Sequence, residues 1–273
     1  MAGKKMAVNY KTVFIFVLLL ISASLSSFSC KPDSRKGIEQ QDTFVYDEDY
    51  ASLYDDIWHR DEKYKSEVDE IISNLKMPLD QVRMLDAGCG TGTHYRLLSE
   101  KVDIVGLDIS KAMLRQARRK NPSGKFKLGD INDRSLFPEN LFTHIISMFE
   151  ASFYTRNLAR VASNYSYWLQ PGGRLMIATI DRDKIKDIGE QVRKKDTFVH
   201  KGWWRVPETG NIVHFDERID FKDGAVIEKK HVLYLPGIKE IQETIQSQGF
   251  KLVSMKYSEF FKQEVIFMFE KTI

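Results

Sequence analysis

Residues Leu85 to His94 read LDAGCGTGTH: an acid, Asp86, then Gly88, Gly90 and Gly92 at every second position before a helix opens. Glycines at that spacing let the backbone turn sharply and approach a ligand, with the N–H groups of the helix start aimed at it. Two phosphate cradles are excluded. A nicotinamide fingerprint reads Gly-x-Gly-x-x-Gly, and here the third glycine comes one residue early. A Walker loop needs Lys-Ser/Thr after its last glycine, and none follows. An acid at the strand end favours a ligand with a cationic group there rather than a pyrophosphate.

Hydrophobic periodicity supplies the elements that position this loop. Tyr46, Tyr50, Leu53, Tyr54 and Ile57 repeat at three and four, one helical face; Val68, Ile71, Ile72 and Leu75 do the same up to Pro78. Val82–Leu85 then reads as a strand, Thr93–Glu100 as a helix and Asp103–Leu107 as a second strand. Ser110 is a candidate N-cap for a helix reaching about Arg119, whose late cations suit a helix C-terminus. Phe126–Leu128 and Ile145–Phe149 read as strands three and four. A helix over Leu158–Leu169 is stopped by Pro171-Gly172-Gly173, and Leu175–Ile180 is strand five. This alternation predicts a parallel, doubly wound sheet. Farther on, Val213, Phe215, Ile219 and Phe221 alternate, and Asp223-Gly224 turns a hairpin into Val226–Tyr234. A helix over Ile238–Ile245 stops at Gly249, and strands are expected at Leu252–Tyr257 and Val265–Phe269. The hairpin is an insertion, about residues 195–235, placed to overhang the carboxyl edge of the sheet, where open α/β folds bind ligands.

On these residues the sequence resembles the class I S-adenosylmethionine (SAM)-dependent methyltransferases, as a methyltransferase type 11/25-like domain. The family's first motif, acid-x-Gly-x-Gly-x-Gly, is met by Asp86–Gly92. Its second landmark is an acid ending strand two that binds the ribose hydroxyls; Asp108 stands there, with Ile109 and Met113 flanking the adenine. The third, an acid near the adenine amino group, is matched by Asp130-Ile131, and the family's Leu-x-Pro-Gly-Gly by Leu169–Gly173. The resemblance implies a Rossmann-like doubly wound sheet of seven strands, with strand seven set antiparallel beside strand five. It also implies SAM as co-substrate. The cofactor-binding set it implies is Tyr54, Asp86, Gly88, Gly90, Gly92, Asp108, Ile109, Met113, Asp130, Ile131 and Met148.

Departures from the family narrow the chemistry. Strand four runs into ISMFEASFY, Ile146–Tyr154, without the Asn-Pro-Pro-Tyr signature of enzymes that methylate DNA amino groups or glutamine. Glu150 and Tyr154 are the candidate catalytic, acceptor-facing residues, against a plainer reading as a helix-start acid and a core aromatic. Tyr50 and Tyr54 either roof the SAM pocket or only pack their helix. His94 could meet the methionine carboxylate, but a surface histidine at a helix start is the stronger expectation. Trp203, Trp204 and His214 could stack on a planar acceptor, with packing inside the insertion favoured. Cys89 is a small loop filler. Methyl transfer is one in-line displacement, so positioning carries much of the rate, and no metal is called for. The order of parts is loosely similar to cap guanine-N7 methyltransferases and small-molecule N-methyltransferases, and to uncharacterised methyltransferases of large DNA viruses and marine microbes.

Composition bounds the remainder. At 273 residues and about 150 per domain, one or two domains are expected. Forty-one basic and thirty-eight acidic residues leave +3, too mild to demand a nucleic acid. Two cysteines, Cys30 and Cys89, cannot build a disulfide scaffold or a cysteine-only zinc site. From Thr12 to Cys30 no residue is charged, and Val13–Ile21 is unbroken hydrocarbon between Lys4, Lys5, Lys11 and Lys31, Arg35, Lys36. The stretch reaches the roughly 18 residues of a spanning candidate. Its Ser-rich tail also fits a cleaved signal peptide, which would leave a secreted or, through Cys30, lipid-anchored product. The expected organisation is a hydrophobic helix in residues 1–30 as a single-pass membrane anchor, a linker over 31–43 and a methyltransferase domain over 44–273. The expected function is methyl transfer to a small-molecule or lipid-like acceptor; the alternatives are an RNA methyltransferase and a tethered SAM-binding partner without turnover.

Overall fold

The computed structural model describes residues 45–186 and 188–272. Two helices lead: α1 (Glu48–Trp58), capped by the Asp47 carboxylate accepting from the Tyr50 N–H at 3.0 Å, and α2 (Asp61–Ser73). Strand and helix then alternate through β1 (Arg83–Ala87), α3 (Thr93–Leu98), β2 (Asp103–Asp108), α4 (Lys111–Lys120), β3 (Phe126–Leu128), β4 (Phe142–Ser147), α5 (Leu158–Trp168) and β5 (Leu169–Ile180). Ser110 caps α4 as its position suggests, accepting from the Met113 N–H at 3.1 Å. A short α6 (Arg182–Ile185) leads to β6 (Gln191–Lys194), β7 (Phe198–Arg205), β8 (Ile212–Phe221) and β9 (Val226–Tyr234). The chain closes with α7 (Ile238–Gln246), β10 (Phe250–Tyr257) and β11 (Glu264–Lys271).

The main sheet has seven strands in the order β10-β11-β5-β4-β1-β2-β3. β1 pairs in parallel with both β2 and β4, so the winding reverses between β1 and β4, the switch point where such sheets open a crevice. β11 lies antiparallel between β10 and β5, Phe267 opposite Ile177. This is the placement expected for Val265–Phe269, whose apolar residues are covered on both faces. Alternate side chains feed two cores. Leu85, Ile145, Leu175, Ile177 and Phe267 join Val161, Trp168 and Ile241 on one face. Met84, Ile104, Ile146, Met176 and Met268 join Val68, Ile71, Tyr95 and Leu98 on the other.

The structure differs from the periodicity reading in three main places, the first being β4, which ends at Ser147, so that Met148 and Phe149, read as its last residues, fall in the loop after it. The insertion is not a lone hairpin but a four-stranded antiparallel sheet, β6-β7-β8-β9. The Asp223-Gly224 turn joins β8 to β9, with Gly224 at φ 92°, and β7 and β6 add to the far side of β8. β7 turns Phe198, His200 and Gly202 inward, a face with one large apolar residue and so no hydrophobic alternation to read. β5 begins directly at Leu169, before the Pro-Gly-Gly stop, because the β4–β5 register shifts between Phe142 and His144 and absorbs those residues. The hydrophobic helix expected in residues 1–30 and the linker over 31–43 lie outside the described residues. Among the described residues no helix is long and apolar enough to cross a membrane.

Phe267 is fully buried at the centre of the β10-β11-β5 ladder, whereas Val253 on edge strand β10 is 41% exposed. Phe267→Ala should lower unfolding stability by about 3–5 kcal/mol in urea titrations. Val253→Ala should stay within about 0.5 kcal/mol of the parent.

Candidate active site

The loop after β1 carries three left-handed glycines, Gly88 at φ 82°, Gly90 at 54° and Gly92 at 76°. The N–H groups of Gly88 and Cys89 donate to the Leu107 carbonyl at 2.8 and 3.0 Å, fastening the loop to β2. Asp108, at the end of β2, completes the strap: Oδ2 accepts from the Gly90 N–H and Oδ1 from the Ser110 N–H, both at 2.8 Å. Burial pushes its carboxyl up to about 6 against the pull of those N–H groups. Asp86 is buried, and its Oδ2 has no hydrogen-bond partner among the described residues. Burial also raises Asp86 to about 6, with Asp108 adding and His94 opposing. A Cβ built on Gly90 meets nothing within 4 Å, so open space lies directly beside the strap. Cys89 fills the loop as expected, its thiol pushed well up by burial.

The neighbouring strand ends hold the other residues expected to bind the cofactor. Ile109 is 40% exposed beside Asp108, while Met113 is buried against Ala51 with Tyr54 packed on them. Asp130 Oδ1 accepts from the backbone and side-chain N–H groups of Asn132 at 2.8 and 2.9 Å. Half-buried Ile131 is pinned through its carbonyl, which accepts from Asn164 Nδ2 at 2.9 Å. Met148 sits inside the second core. Tyr54 and Tyr50 face each other and Tyr46 across 5.8–6.2 Å between ring centres.

The loop after β4 crosses this edge. Phe149 and Glu150 both take positive φ, 50° and 58°, before a tight turn over Ala151–Phe153. A Cβ on Gly88 would stand 2.2 Å from the Ala151 Cβ, so the two loops are in direct contact. Glu150 is half-buried, not an exposed helix-start acid. Burial and the nearby Glu264 raise its carboxyl to about 8, with Lys63 opposing and Glu67 adding. Behind it, Lys63 bonds Glu264 at 2.8 Å and also Glu67, and His94 Nε2 meets Glu67 at 3.0 Å. His94 is therefore buried, contrary to the surface position expected of it, because α2 lays Tyr64 and Glu67 over the start of α3.

Tyr154 joins the loop to the inserted sheet. Its hydroxyl shares hydrogen bonds with Tyr46 Oη and His231 Nδ1, each at 2.7 Å. His231 Nε2 meets Glu217 Oε2; His200 Nε2 donates to Glu217 Oε1 at 2.7 Å and Tyr50 Oη to Oε2 at 2.5 Å. Burial alone would raise Glu217, but the pull of His231 and the bonds from His200, His231 and Tyr50 hold it down at about 2. Tyr46, His200, Glu217 and His231 escaped the motif-based reading. The available signal was Glu217 itself, a carboxylate at an inward position of the alternating run Val213, Phe215, Glu217, Ile219. Trp204 packs on Phe215 at 4.6 Å between ring centres, as packing inside the insertion requires; Trp203 and His214 are half-buried.

A carboxylate depressed from 4.5 to about 2 stabilises the fold above its unfolded pKa, and that stability is lost as pH falls through the folded value. Glu217→Gln should therefore cost on the order of 3 kcal/mol at pH 7. The gap to the parent should narrow between about pH 4.5 and pH 2, read from urea midpoints across that range.

Residues 84–173 match the model of a methyltransferase domain family. The chain is 30% identical over 139 residues to the dTDP-3-amino-3,4,6-trideoxy-alpha-D-glucopyranose N,N-dimethyltransferase of Streptomyces venezuelae, a match covering 49% of this chain and 58% of that protein. It is 33% identical over 181 residues to the dTDP-4-amino-2,3,4,6-tetradeoxy-D-glucose N,N-dimethyltransferase of Saccharopolyspora spinosa, covering 64% of this chain and 65% of the relative. The chain thus spans about three-fifths of the length of these relatives. In fold it is similar to a SAM-dependent methyltransferase from Clostridium acetobutylicum, at TM-score 0.70 and 18% identity, over 82% of this chain and 98% of the other. Residues 84–173 thus match a methyltransferase domain, and the fold is one shared with a SAM-dependent methyltransferase.

Proposed function

We propose that the protein transfers the methyl group of SAM to a small-molecule acceptor held between the Glu150–Tyr154 loop and the inserted sheet. The observation that carries the reading is the contact of Ala151 with Gly88, which sets the candidate acceptor residues against the glycine loop. The residues present fit SAM. The unpartnered Asp86 oxygen suits the ammonium of the methionine moiety. The open space at Gly90 admits a ligand against the backbone, and Asp108, already fixed by two N–H groups, keeps lone pairs for ribose hydroxyls. Asp130 and Ile131 stand at the adenine end. Bound SAM supplies a methyl group on a positively charged sulfur, so the protein's own work is orientation and exclusion of water. Two curated relatives, both named as N,N-dimethyltransferases of dTDP-linked amino sugars, favour a small polar acceptor over RNA. We also propose that the uncharged run 12–30 tethers the protein to a membrane as a single-pass anchor with the catalytic domain facing the cytosol, where SAM is made.

Isothermal titration of the full chain with SAM tests the cofactor reading. Asp108→Ala should weaken binding by about ten- to a hundredfold, the loss of a pair of hydrogen bonds to a charged group. An ammonium binds the ionised form of Asp86, so affinity should fall as pH drops through about 6. The loss should be about tenfold between pH 8 and pH 5. Unchanged affinity in Asp108→Ala and Asp86→Ala alike would remove the pocket assignment. For the tether, the full-length protein should stay with membranes through carbonate extraction; a soluble product beginning near Cys30 would end that reading.

A further inference from the structure

Resting on the methyl-transfer reading above, we infer that Tyr154, His231 and Glu217 form a proton relay and that the acceptor is an amine arriving as its ammonium. The three side chains come from separate elements, the loop after β4, β9 and β8, and meet end to end. Tyr154 is half-buried beside the Gly88–Ala151 contact, while His231 and Glu217 are 3% and 1% exposed. Of the three, Tyr154 is the least buried and so the one an acceptor would meet; His231 and Glu217 act through it, as positioning residues.

The buried carboxylate decides which way the imidazole works. Glu217 has only lone pairs to offer, so His231 donates its Nε2–H to it; in the neutral imidazole Nδ1 is then bare toward Tyr154. Glu217 is in turn held by His200 and Tyr50, and Tyr50 accepts from Trp58 Nε1 at 3.0 Å. A histidine oriented by a carboxylate and aimed at a hydroxyl is the arrangement of a triad base. The groups facing His231 are Tyr154 from the β4 loop, Tyr46 and Tyr50 from α1 and the turn before it, and Glu217 with the Phe215 ring from β8. Behind Glu217 stand His200 from β7 and, from β6, Arg193, which lies over the Trp58 ring at 4.4 Å. Lys229, on the same strand as His231, is bonded to Asp47.

The acceptor class follows from charge. A carboxylate acceptor carries no proton at neutral pH, needs no base and needs a free cation to hold it. Among the described residues Lys63 is committed to Glu67 and Glu264 and Lys229 to Asp47, while Arg193, whose Nε and Nη1 have no hydrogen-bond partner, lies farther back over the Trp58 ring. What stands here instead is the half-buried Glu150 carboxyl and the half-buried rings of Tyr46, Tyr54 and Tyr154, surfaces that favour a cation. In the step, the ammonium gives a proton to the Tyr154 oxygen as the tyrosine's own proton passes to His231 Nδ1. The freed nitrogen pair then bonds the methyl carbon. The carbon–sulfur bond breaks with its electrons on sulfur, so the sulfonium becomes a neutral thioether and the product a methylated ammonium. His231 afterwards releases its proton to solvent through Tyr154.

The first test needs no acceptor. Nitrogen-15 shifts of the His231 ring, read at pH 8 in the full chain saturated with S-adenosylhomocysteine, report which nitrogen carries the proton. The relay requires a proton on Nε2 and a bare Nδ1, with Tyr154→Phe moving only the Nδ1 resonance. A proton on Nδ1 overturns it. The second test supplies dTDP-linked 3-amino and 4-amino deoxyhexoses and a dicarboxylate, trans-aconitate, with labelled SAM. Label should enter the amines, and His231→Asn should lower kcat about 10²–10³-fold. KM should stay within threefold, and the deficit should shrink by about tenfold per pH unit from pH 7 to 9 as more amine arrives neutral. A deficit independent of pH, or preferred labelling of the dicarboxylate, overturns the inference. If neither probe is labelled, the ring tautomer decides. Failure of the parent to bind SAM sinks the methyl-transfer reading itself; SAM binding with a protonated Nδ1 sinks the relay alone.

Discussion

A single missing methyl group organises the carboxyl edge of the sheet: any side chain at Gly88 would run into Ala151, at 2.2 Å from Cβ to Cβ. The switch point puts the ends of β1 and β4 side by side, and the glycine lets their loops touch. That closeness is held against strain. Among the described residues only Asn140, Phe149 and Glu150 take positive φ without being glycine, and two of them are consecutive in this loop. Such positions cost on the order of 1–3 kcal/mol each and persist where their surroundings over-determine them. Here the surroundings are Phe153, fully buried, and the chain of hydroxyls Ser147–Ser152–Tyr165 at 2.6 and 3.0 Å. The strain is paid beside the sheet so that Glu150 and Tyr154 stand over the glycine loop.

Two buried polar clusters flank that loop. On one side Lys63, Glu67, Glu264 and His94 share bonds between α2, α3 and β11. On the other, Glu217 is gripped by His200, His231 and Tyr50. Each ionised group costs several kcal/mol to desolvate, so removing one partner should hurt far more than the pair contributes to folding. Both clusters also tie parts distant in sequence to the same edge: Lys63 to Glu264 across 201 residues, Tyr50 to Glu217 across 167. The leading helices and the inserted sheet are thus docked through charges whose geometry admits little slippage, while the apolar contacts of Tyr50 and Ile57 with Phe198 and Ile219 supply the burial.

The parallel core was legible because its signals are local. Glycines alternate after Asp86, Ser110 caps its helix, and solid apolar runs such as Val265–Phe269 fit a strand covered on both faces. The strand ends carrying Asp86, Asp108 and Asp130 followed from the same motifs. What escaped was written in long-range pairing. β7 turns Phe, His and Gly inward, and β6 leaves Val192 46% exposed, so neither shows a hydrophobic face. β7 takes its identity as a strand from β8, in the register His200 to Ile219 and Gly202 to Glu217, and β6 takes its own from β7. His94 was misplaced for a related reason: at a helix start it reads as exposed, and only the packing of α2 buries it beside Glu67.

The two glutamates nearest Tyr154 are driven in opposite directions by one environment, and that divergence gives them different work. Both are desolvated, which raises a carboxyl. Glu150 meets Glu264 and Glu67 with only Lys63 to offset them, so it holds its proton to about pH 8. Glu217 meets His231 and three hydrogen bonds, so it stays ionised down to about pH 2. At neutral pH Glu150 is thus largely an acid that can donate a hydrogen bond, and a nearby cation would draw it toward ionisation. Glu217 is a fixed negative charge that cannot give up a proton, so its part is confined to orienting the imidazole beside it. Two carboxyl groups of one residue type are thereby separated by about six pH units. The separation rests on burial depth and partners, and those are set by where the inserted sheet and the leading helices meet the strained loop.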